Sequence, residues 1–224
     1  MNAPTVLAVG FVDAERIAGT SGVDTTWQQL GVEAPGTGRT LRLVFGRSDD
    51  TFRRLDRCSR VLVLATAAAG IDVALPREAR EGTALVVETT LGCLDADLQF
   101  AASMRTGMCD GPIFPYTLPN TSLGEVALRY ALRGPSLCLS VAPEAAGAAL
   151  AEAEAMLENG EATFALAATV DVLVQSTPHA KTTCRAVAVL LAHPRLGLRS
   201  RVPWAGHGIT AFTDLAKGAR RSSG

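Results

Sequence analysis

Aromatic residues make up only 5% of the 224-residue chain, while hydrophobic residues make up 48%. A core must therefore be built from Ala, Val and Leu rather than from stacked rings. Excess charge is missing as well: 21 Lys and Arg against 22 Asp and Glu leave a formal net charge of -1. That balance gives no reason to expect nucleic acid or an anionic membrane as partner. No apolar run approaches the ~20 residues a membrane helix needs, and Met1 to Thr5 carry neither a basic region nor an apolar signal core. A cytoplasmic protein is the expectation. The five cysteines (Cys58, Cys93, Cys109, Cys138, Cys184) are odd in number and lack C-x-x-C spacing, which argues for reduced thiols and against a disulfide framework or zinc site. His179, His193 and His207 share no metal-ligand spacing with one another or with Asp or Glu. Neither a metal nor a cofactor is expected.

The length suits one large α/β domain. Thr5 to Val12 is a continuous apolar run of strand length, as expected for a strand covered on both faces. Asp13 to Gly38 reads as loop with one short helix around Thr25 to Leu30, and Gly36-Thr37-Gly38 lacks the lysine and spacing of a phosphate loop. Asp49-Asp50 is a plausible N-cap for a helix from Thr51 to Gly70, with Phe52, Leu55, Ser59, Leu62 and Thr66 on one side. Arg53, Arg54, Arg57 and Arg60 cluster early in it. They fit either a site for the phosphates of coenzyme A or a carrier-protein arm, or a solvated face laced with salt bridges.

Thr83 to Glu88 is the next strand, and Thr89 to Gly107 a turn and helix whose Leu91, Leu94, Leu98, Ala101 and Ala102 share a stripe. Prolines at 112, 115 and 119 make Met108 to Asn120 an extended loop. Asn120-Thr121-Ser122 can cap a helix to Leu132, with Gly134 suited to a left-handed C-terminal cap. Ala145 to Glu158 reads as a helix, and Thr163 to Leu173 and Cys184 to His193 as strands. The tail, Pro194 to Gly224, holds Arg195, Arg199, Arg201, Lys217, Arg220 and Arg221 with Trp204 and Phe212 between, and no pattern places it. The expected division is a domain over residues 1–193 and a basic tail over 194–224.

Gly134 to Gly147 (GPSLCLSVAPEAAG) organises the rest: a glycine-proline turn, a short apolar strand and the start of a helix. Such an elbow holds one side chain at a helix N-terminus, where free N–H groups and the helix dipole activate a nucleophile or hold an anion. The side chain there is Pro143, which has no acid, base or nucleophile to offer. Cys138, five residues earlier, suits a buried strand position, and Ser140 a local hydrogen bond. Glu144 is favoured by the dipole but has no evident catalytic partner.

The same stretch resembles the active-site elbow of β-ketoacyl synthases, G-P-x-L-x-x-S-x-A-C-x-S-G, through Gly134, Pro135, Leu137, Ser140 and Ala142; the acyl-accepting cysteine falls on Pro143. Upstream, Pro115 to Ala127 (PYTLPNTSLGEVA) is similar to the family's F-x-x-P-x-x-L-P-N-x-x-A-G-x-V-A, with Glu125 at a position usually basic. Weaker matches lie at Leu55 to Arg60 and at Asn159 to Ala162. The resemblance spans about residues 4 to 193 and implies a thiolase-like α/β/α half, with a mixed five-stranded sheet and helices on both faces. The family's second half, with its two catalytic histidines and lysine, finds no counterpart before Gly224.

What the resemblance implies is a catalytically inactive, chain-length-factor-like subunit that heterodimerises with an active ketosynthase, as a heterodimer or heterotetramer, and meets acyl carrier protein through that complex. Short versions resemble the partner subunits of aryl-polyene pathways. In the family the helix after Thr89 lines the acyl tunnel, which maps that role to Asp97, Leu98, Phe100, Ala101 and Met104, with Phe100 as the floor that excludes further methylenes. The strand before the elbow pairs with its partner's equivalent, mapping the interface to Phe114, Tyr116, Leu137, Cys138, Leu139, Ser140 and Val141. The alternatives are a stand-alone acyl-thioester decarboxylase or hydrolase, and a carrier-protein docking scaffold resting on Arg53, Arg54, Arg57 and Arg60.

Overall fold

The computed structural model describes residues 3–32, 36–37, 39–174 and 183–200. In chain order the elements are β1 (Thr5–Val12), β2 (Arg16–Gly19), β3 (Asp24–Thr26), α1 (Thr40–Phe45), α2 (Arg57–Ala69), α3 (Ile71–Ala74), β4 (Ala84–Thr89), α4 (Leu94–Arg105), α5 (Thr121–Tyr130), β5 (Ser136–Ser140), α6 (Ala148–Glu158), β6 (Phe164–Leu173) and β7 (Thr183–Ala192), with short 3-10 turns between some of them. The strands form one mixed sheet in the order β3-β2-β1-β7-β6-β4-β5. β4 runs parallel to β5 and β6, and the other pairs are antiparallel.

The apolar runs in the sequence serve two faces at once, because successive strand side chains point to opposite sides. Leu85 and Val87 of β4 join Leu62, Leu64 and Val126 of α2 and α5 in one core layer. Ala84 and Val86 join Ala149, Leu150, Ala153 and Leu157 of α6 in the other. Small residues set how close the layers come. A Cβ on Gly10 of β1 would lie 2.1 Å from the Ala65 carbonyl oxygen of α2. The helix runs against a strand that has no side chain there.

The sheet has seven strands where the sequence suggests five. The added pair, β2 and β3, comes from the segment expected to be loop. Asp13 Oδ1 accepts from the Glu15 and Arg16 amides at 2.8 Å each, which turns the chain into β2. The helix expected at Thr25 to Leu30 is instead the end of β3 and a set of turns. Trp27 is buried there, and its Nε1 donates to the Asp13 carbonyl at 2.9 Å. A single large ring anchored across the hairpin outweighs a weak helical pattern.

The helix expected from Thr51 is broken at Leu55, whose backbone is extended. Asp49 closes only a 3-10 turn, Phe52–Arg54, by accepting from the Phe52 amide. The N-cap of α2 is Asp56, which accepts from Cys58 and Ser59 amides at 3.1 and 3.0 Å. The proline-rich loop holds a 3-10 turn at Phe114–Thr117. Asn120 precedes α5 without a side-chain cap bond, and α5 ends at Ala131, which takes the left-handed conformation (φ 55°) expected of Gly134. Gly134 has another reason to be glycine: a Cβ there would sit 2.4 Å from the Thr83 carbonyl oxygen.

After β7 the chain forms a 3-10 turn, Pro194–Leu196, and returns along β1, where Ser200 Oγ donates to the Val6 carbonyl at 3.0 Å. His179, and Arg201, Trp204, His207, Phe212, Lys217, Arg220 and Arg221 of the expected tail, lie outside the described residues. Among the described residues no helix is long and apolar enough to cross a membrane, and no group of three or more His, Cys, Asp or Glu side chains could hold a metal ion.

Candidate functional site

The elbow is longer than its sequence suggests. From β5 the chain stays extended through Ala142, makes a 3-10 turn over Pro143–Ala145, extends again at Ala146 and enters α6 through Gly147 at φ 102°. Pro143 is exposed on that turn and does not begin the helix. The α6 N-terminus, which a nucleophile or oxyanion would need, is occupied from inside the fold. Glu88 of β4 is buried, and its carboxylate accepts from the Gly147 amide at 2.9 and 3.1 Å and from the Ala149 amide at 2.8 Å. Burial pushes the Glu88 carboxyl upward, the Ala149 and Gly147 amides pull it down, and the balance stays above its ordinary value of 4.5. The donors that make a helix start an anion site are therefore spent on a resident carboxylate.

Among the described residues, the other groups near the elbow or first suggested by the sequence have these environments. Glu144 is exposed on the turn beside Pro143. Cys138 is half-buried in β5, and desolvation raises its thiol above the ordinary 9.0, the wrong direction for a nucleophile. Cys93 is pushed up to about 11 by burial and by Asp97, whose carboxylate accepts from its Sγ at 3.3 Å. His193 Nδ1 accepts from the Arg195 amide and caps the 3-10 turn.

Two buried carboxylates that sequence reasoning missed shape the neighbouring end of the sheet. Asp171 of β6 is fully buried and accepts from Thr89 Oγ1, from the Thr90 and Leu91 amides and from Arg185, so it fixes the turn from β4 to α4. Asp95 of α4 accepts from the Val174 amide at 2.9 Å, from Gln99 Nε2 at 2.7 Å and from Arg57. Their only trace in the sequence is an acid inside an otherwise apolar strand or stripe, a pattern that signals a buried, hydrogen-bonded carboxylate.

Asp95 and Ala96 form the buried face of α4, which turns the apolar stripe outward. Leu98 and Met104 are each 50% exposed, and Leu94 is exposed beside them. Of the residues mapped to the tunnel, Asp97 and Ala101 are partly buried, and Phe100 is half-buried with its ring centroid 5.4 Å from that of Phe114. Phe114 is itself exposed, while the Tyr116 hydroxyl donates to Glu125 at 3.4 Å. Among the described residues β5 lies at the rim of the sheet and pairs with β4 alone, with Leu137, Cys138 and Leu139 half-buried and Ser140 exposed; Val141, beyond its end, donates its amide to the Thr89 carbonyl. A row of unpaired backbone groups on an apolar strand is a template for pairing with another chain.

The four-arginine cluster divides. Arg57 joins Asp95, and Arg60 donates to the carbonyls of Phe52, Gly36 and Arg53 at 3.3, 3.1 and 2.8 Å. Arg53 and Arg54 remain exposed. The four do not form one phosphate site.

A family model described as the β-ketoacyl synthase N-terminal domain matches residues 13–190. The chain belongs to the β-ketoacyl synthase N-terminal domain family. Solved structures with this fold include the ishigamide ketosynthase/chain length factor, with a TM-score of 0.64 and 18% identity over 91% of this chain and 65% of the other. The ketosynthase ApeO in complex with its chain length factor ApeC from Xenorhabdus doucetiae follows at 0.57 and 17% identity, over 86% and 80%. A type II polyketide acyl-carrier protein in complex with its ketosynthase (AntDE:AntF) gives 0.58 and 18%, over 87% and 64%. This chain thus spans about two thirds of the ishigamide protein's length. No curated protein matches it.

Membership in the ketosynthase family gives the elbow its meaning. In this member of it, the stretch that resembles the family's elbow carries Pro143 on an exposed 3-10 turn, and the helix start behind that turn is sealed by Glu88.

Proposed function

We propose that this chain is a non-catalytic, chain-length-factor-like subunit that heterodimerises with an active ketosynthase and shapes the acyl tunnel during elongation of a carrier-protein-bound polyene, polyketide or fatty-acid-type chain. The observation that supports the reading is a helix N-terminus already occupied by Glu88, behind the turn where the resemblance puts Pro143 in place of a nucleophile. The ketosynthase partner supplies the cysteine, histidines and lysine, and elongates the acyl chain by decarboxylative condensation with a malonyl unit on the carrier protein. This subunit contributes the outward stripe of α4 as tunnel wall and the free edge of β5 as the seam, which fits their exposure. An apolar edge and stripe of this kind are stabilised by a large heterodimer interface. The complex is expected in the cytoplasm.

Co-expression with a catalytically active ketosynthase from the same source, followed by size-exclusion chromatography and mass measurement, tests the reading. A stoichiometric complex is the expected result. A soluble homodimer that ignores the ketosynthase, or turnover of acyl thioesters by the purified chain, overturns it in favour of a stand-alone enzyme.

A further inference from the structure

On the α2 side of the sheet, β1 and β2 are met at backbone distance: a Cβ on Gly10 would lie 2.1 Å from the Ala65 carbonyl oxygen, and one on Gly19 2.2 Å from that of Ala68. Alternation along the strands then points Phe11 and Ala18 to the other face, the one α6 shares. Among the described residues the helices packed on β1 and β2 are α2 and α3, both on the first face, while α6 lies over β4, β6 and part of β7. Phe11 and Ala18 are nevertheless 3% and 4% exposed, and they form with Val187 an apolar cluster of their own. The Arg16 guanidinium, 5.6 Å from the centre of the Phe11 ring, caps one side of it. Burial this deep calls for an apolar neighbour on the α6 face.

The course of the chain after β7 points to the neighbour. Thr5 Oγ1 donates to the Leu198 carbonyl at 3.5 Å and Ser200 Oγ to the Val6 carbonyl at 3.0 Å, so residues 198–200 run beside the start of β1 and in its direction. In the plane of the sheet the way ahead is closed. β7 pairs along β1 on one side, and on the other Thr20 bonds Val9 before β2 takes over at Gly10. α2 closes the face behind. The path that stays on the protein is the one over Val9 and Phe11. From there β7 is one strand spacing away and β6 two, at ~4.8 Å each, so a handful of residues reaches α6.

Charge favours the same course. From Gly134 to Ala180 the sequence has no Lys or Arg, and α6 itself presents Glu152, Glu154 and Glu158. Residues 201–224 hold Arg201, Lys217, Arg220 and Arg221 against the single acid Asp214. We infer that residues 201–224 of this chain dock on the α6 face of its own sheet, with Trp204, Phe212 and Leu215 as apolar cover for Val9, Phe11 and Ala18, and with Lys217, Arg220 and Arg221 set against the α6 carboxylates. β1 and β2 lie at the opposite end of the sheet from β5, so this cover leaves the proposed seam with a ketosynthase open.

Hydrogen exchange read by mass spectrometry on the full chain tests the inference without any substitution. In the chain alone, amides of residues 202–216 should exchange at least about tenfold more slowly than an unstructured peptide, independently of protein concentration. Exchange at the unstructured rate overturns the inference. So does protection that grows with concentration, which marks a second copy as the occupant, or protection that arises only when a ketosynthase is added. Carbodiimide coupling fixes the place, because Lys181 and Lys217 are the only lysines in the sequence. Within the monomer, Lys217 should couple to Glu152, Glu154 or Glu158; coupling confined to carboxylates elsewhere overturns the placement. Phe11→Asp should release the segment, speeding its exchange at least about tenfold while peptides of α5 keep their protection. Should that variant unfold, Arg220→Glu/Arg221→Glu takes its place, with faster exchange of residues 202–216 expected and unchanged exchange counting against the charge pairing.

Discussion

Glu88 and Gly147 are 59 residues apart in the chain, yet the carboxylate of the first closes the helix that the second begins, at 2.9 Å. Glu88 sits at the C-terminal end of β4 and α6 points its N-terminus at it, so strand and helix are joined by a charge-assisted contact as well as by apolar packing. Removing the acceptor leaves two buried amides without a partner. A buried donor stripped of its partner costs ~1–3 kcal/mol. Glu88→Ala should therefore lower the midpoint of urea unfolding at neutral pH, with an unchanged denaturant slope. An unshifted midpoint would show that water replaces the carboxylate at no cost.

Reinstalling a thiol tests whether the sealed helix start matters chemically. Pro143→Cys places a cysteine where the resemblance puts the family's nucleophile, but the Gly147 and Ala149 amides remain committed to Glu88. Its iodoacetamide alkylation should follow an ordinary thiol, with a midpoint near ~8.5. Adding Glu88→Ala should move that midpoint downward. A depressed midpoint in the single variant would mean the helix end is open after all. The exposed native Cys109 serves as the internal reference in the peptide map.

The parts of this fold that could be read in the sequence are those fixed by local pattern. The runs at Thr5 to Val12 and Thr163 to Leu173 became β1 and β6, and the alanine face of residues 149 to 157 became the buried side of α6. What escaped was set by single long-range polar contacts. Asp13 and Trp27 turn a supposed loop into the β2–β3 hairpin, Asp56 rather than Asp49 starts α2, and Asp95 rotates the stripe of α4 outward. Glu88 reads as the last residue of an apolar strand, and only the return of α6 shows its role. Local periodicity carries no record of such partners.

Gly134 gives a steric test of the β4–β5 junction. Its Cβ would lie 2.4 Å from the Thr83 carbonyl oxygen and 2.6 Å from the carbonyl carbon, both backbone atoms that no rotamer change can move. Overpacking of this kind costs ~1–3 kcal/mol. Gly134→Ala should lower thermal stability, whereas Gly124→Ala, where a Cβ meets nothing within 4 Å, should leave it unchanged or raise it slightly. Equal melting temperatures for the two variants would contradict the close approach.

Asp49 supplies a pH dependence with a defined sign. Burial pushes its carboxyl up, but hydrogen bonds from Arg129, Thr51 and the Phe52 amide outweigh it and hold the group well below its ordinary 3.8. A carboxyl depressed in the folded state stabilises above its unfolded value, and that contribution is lost as pH falls through the folded one. Wild type should thus lose stability on acidification below about 4. Asp49→Asn should be less stable than wild type at pH 7, and the gap should narrow steadily towards pH 2. A gap that is constant with pH would place the effect in packing rather than in the Arg129 pair.

Phe100 carries the prediction that separates a tunnel wall from a passive surface. Its ring packs at a tilt of 53° against Phe114, on a helix whose neighbouring Leu98 and Met104 are open. If α4 forms the floor of an acyl tunnel in the complex, Phe100→Ala removes a side chain that a close-packed wall cannot replace. The growing chain then gains room for further extension units. The expected readout, in a reconstituted ketosynthase complex with malonyl-loaded carrier protein, is a shift of the product distribution to longer chains at an unchanged ratio of subunits. Phe114→Ala loosens the same ring pair from the other side and should lengthen products less, because it leaves the Phe100 ring in place. Unchanged product lengths in an intact Phe100→Ala complex would remove α4 from the tunnel and leave its apolar stripe as interface alone.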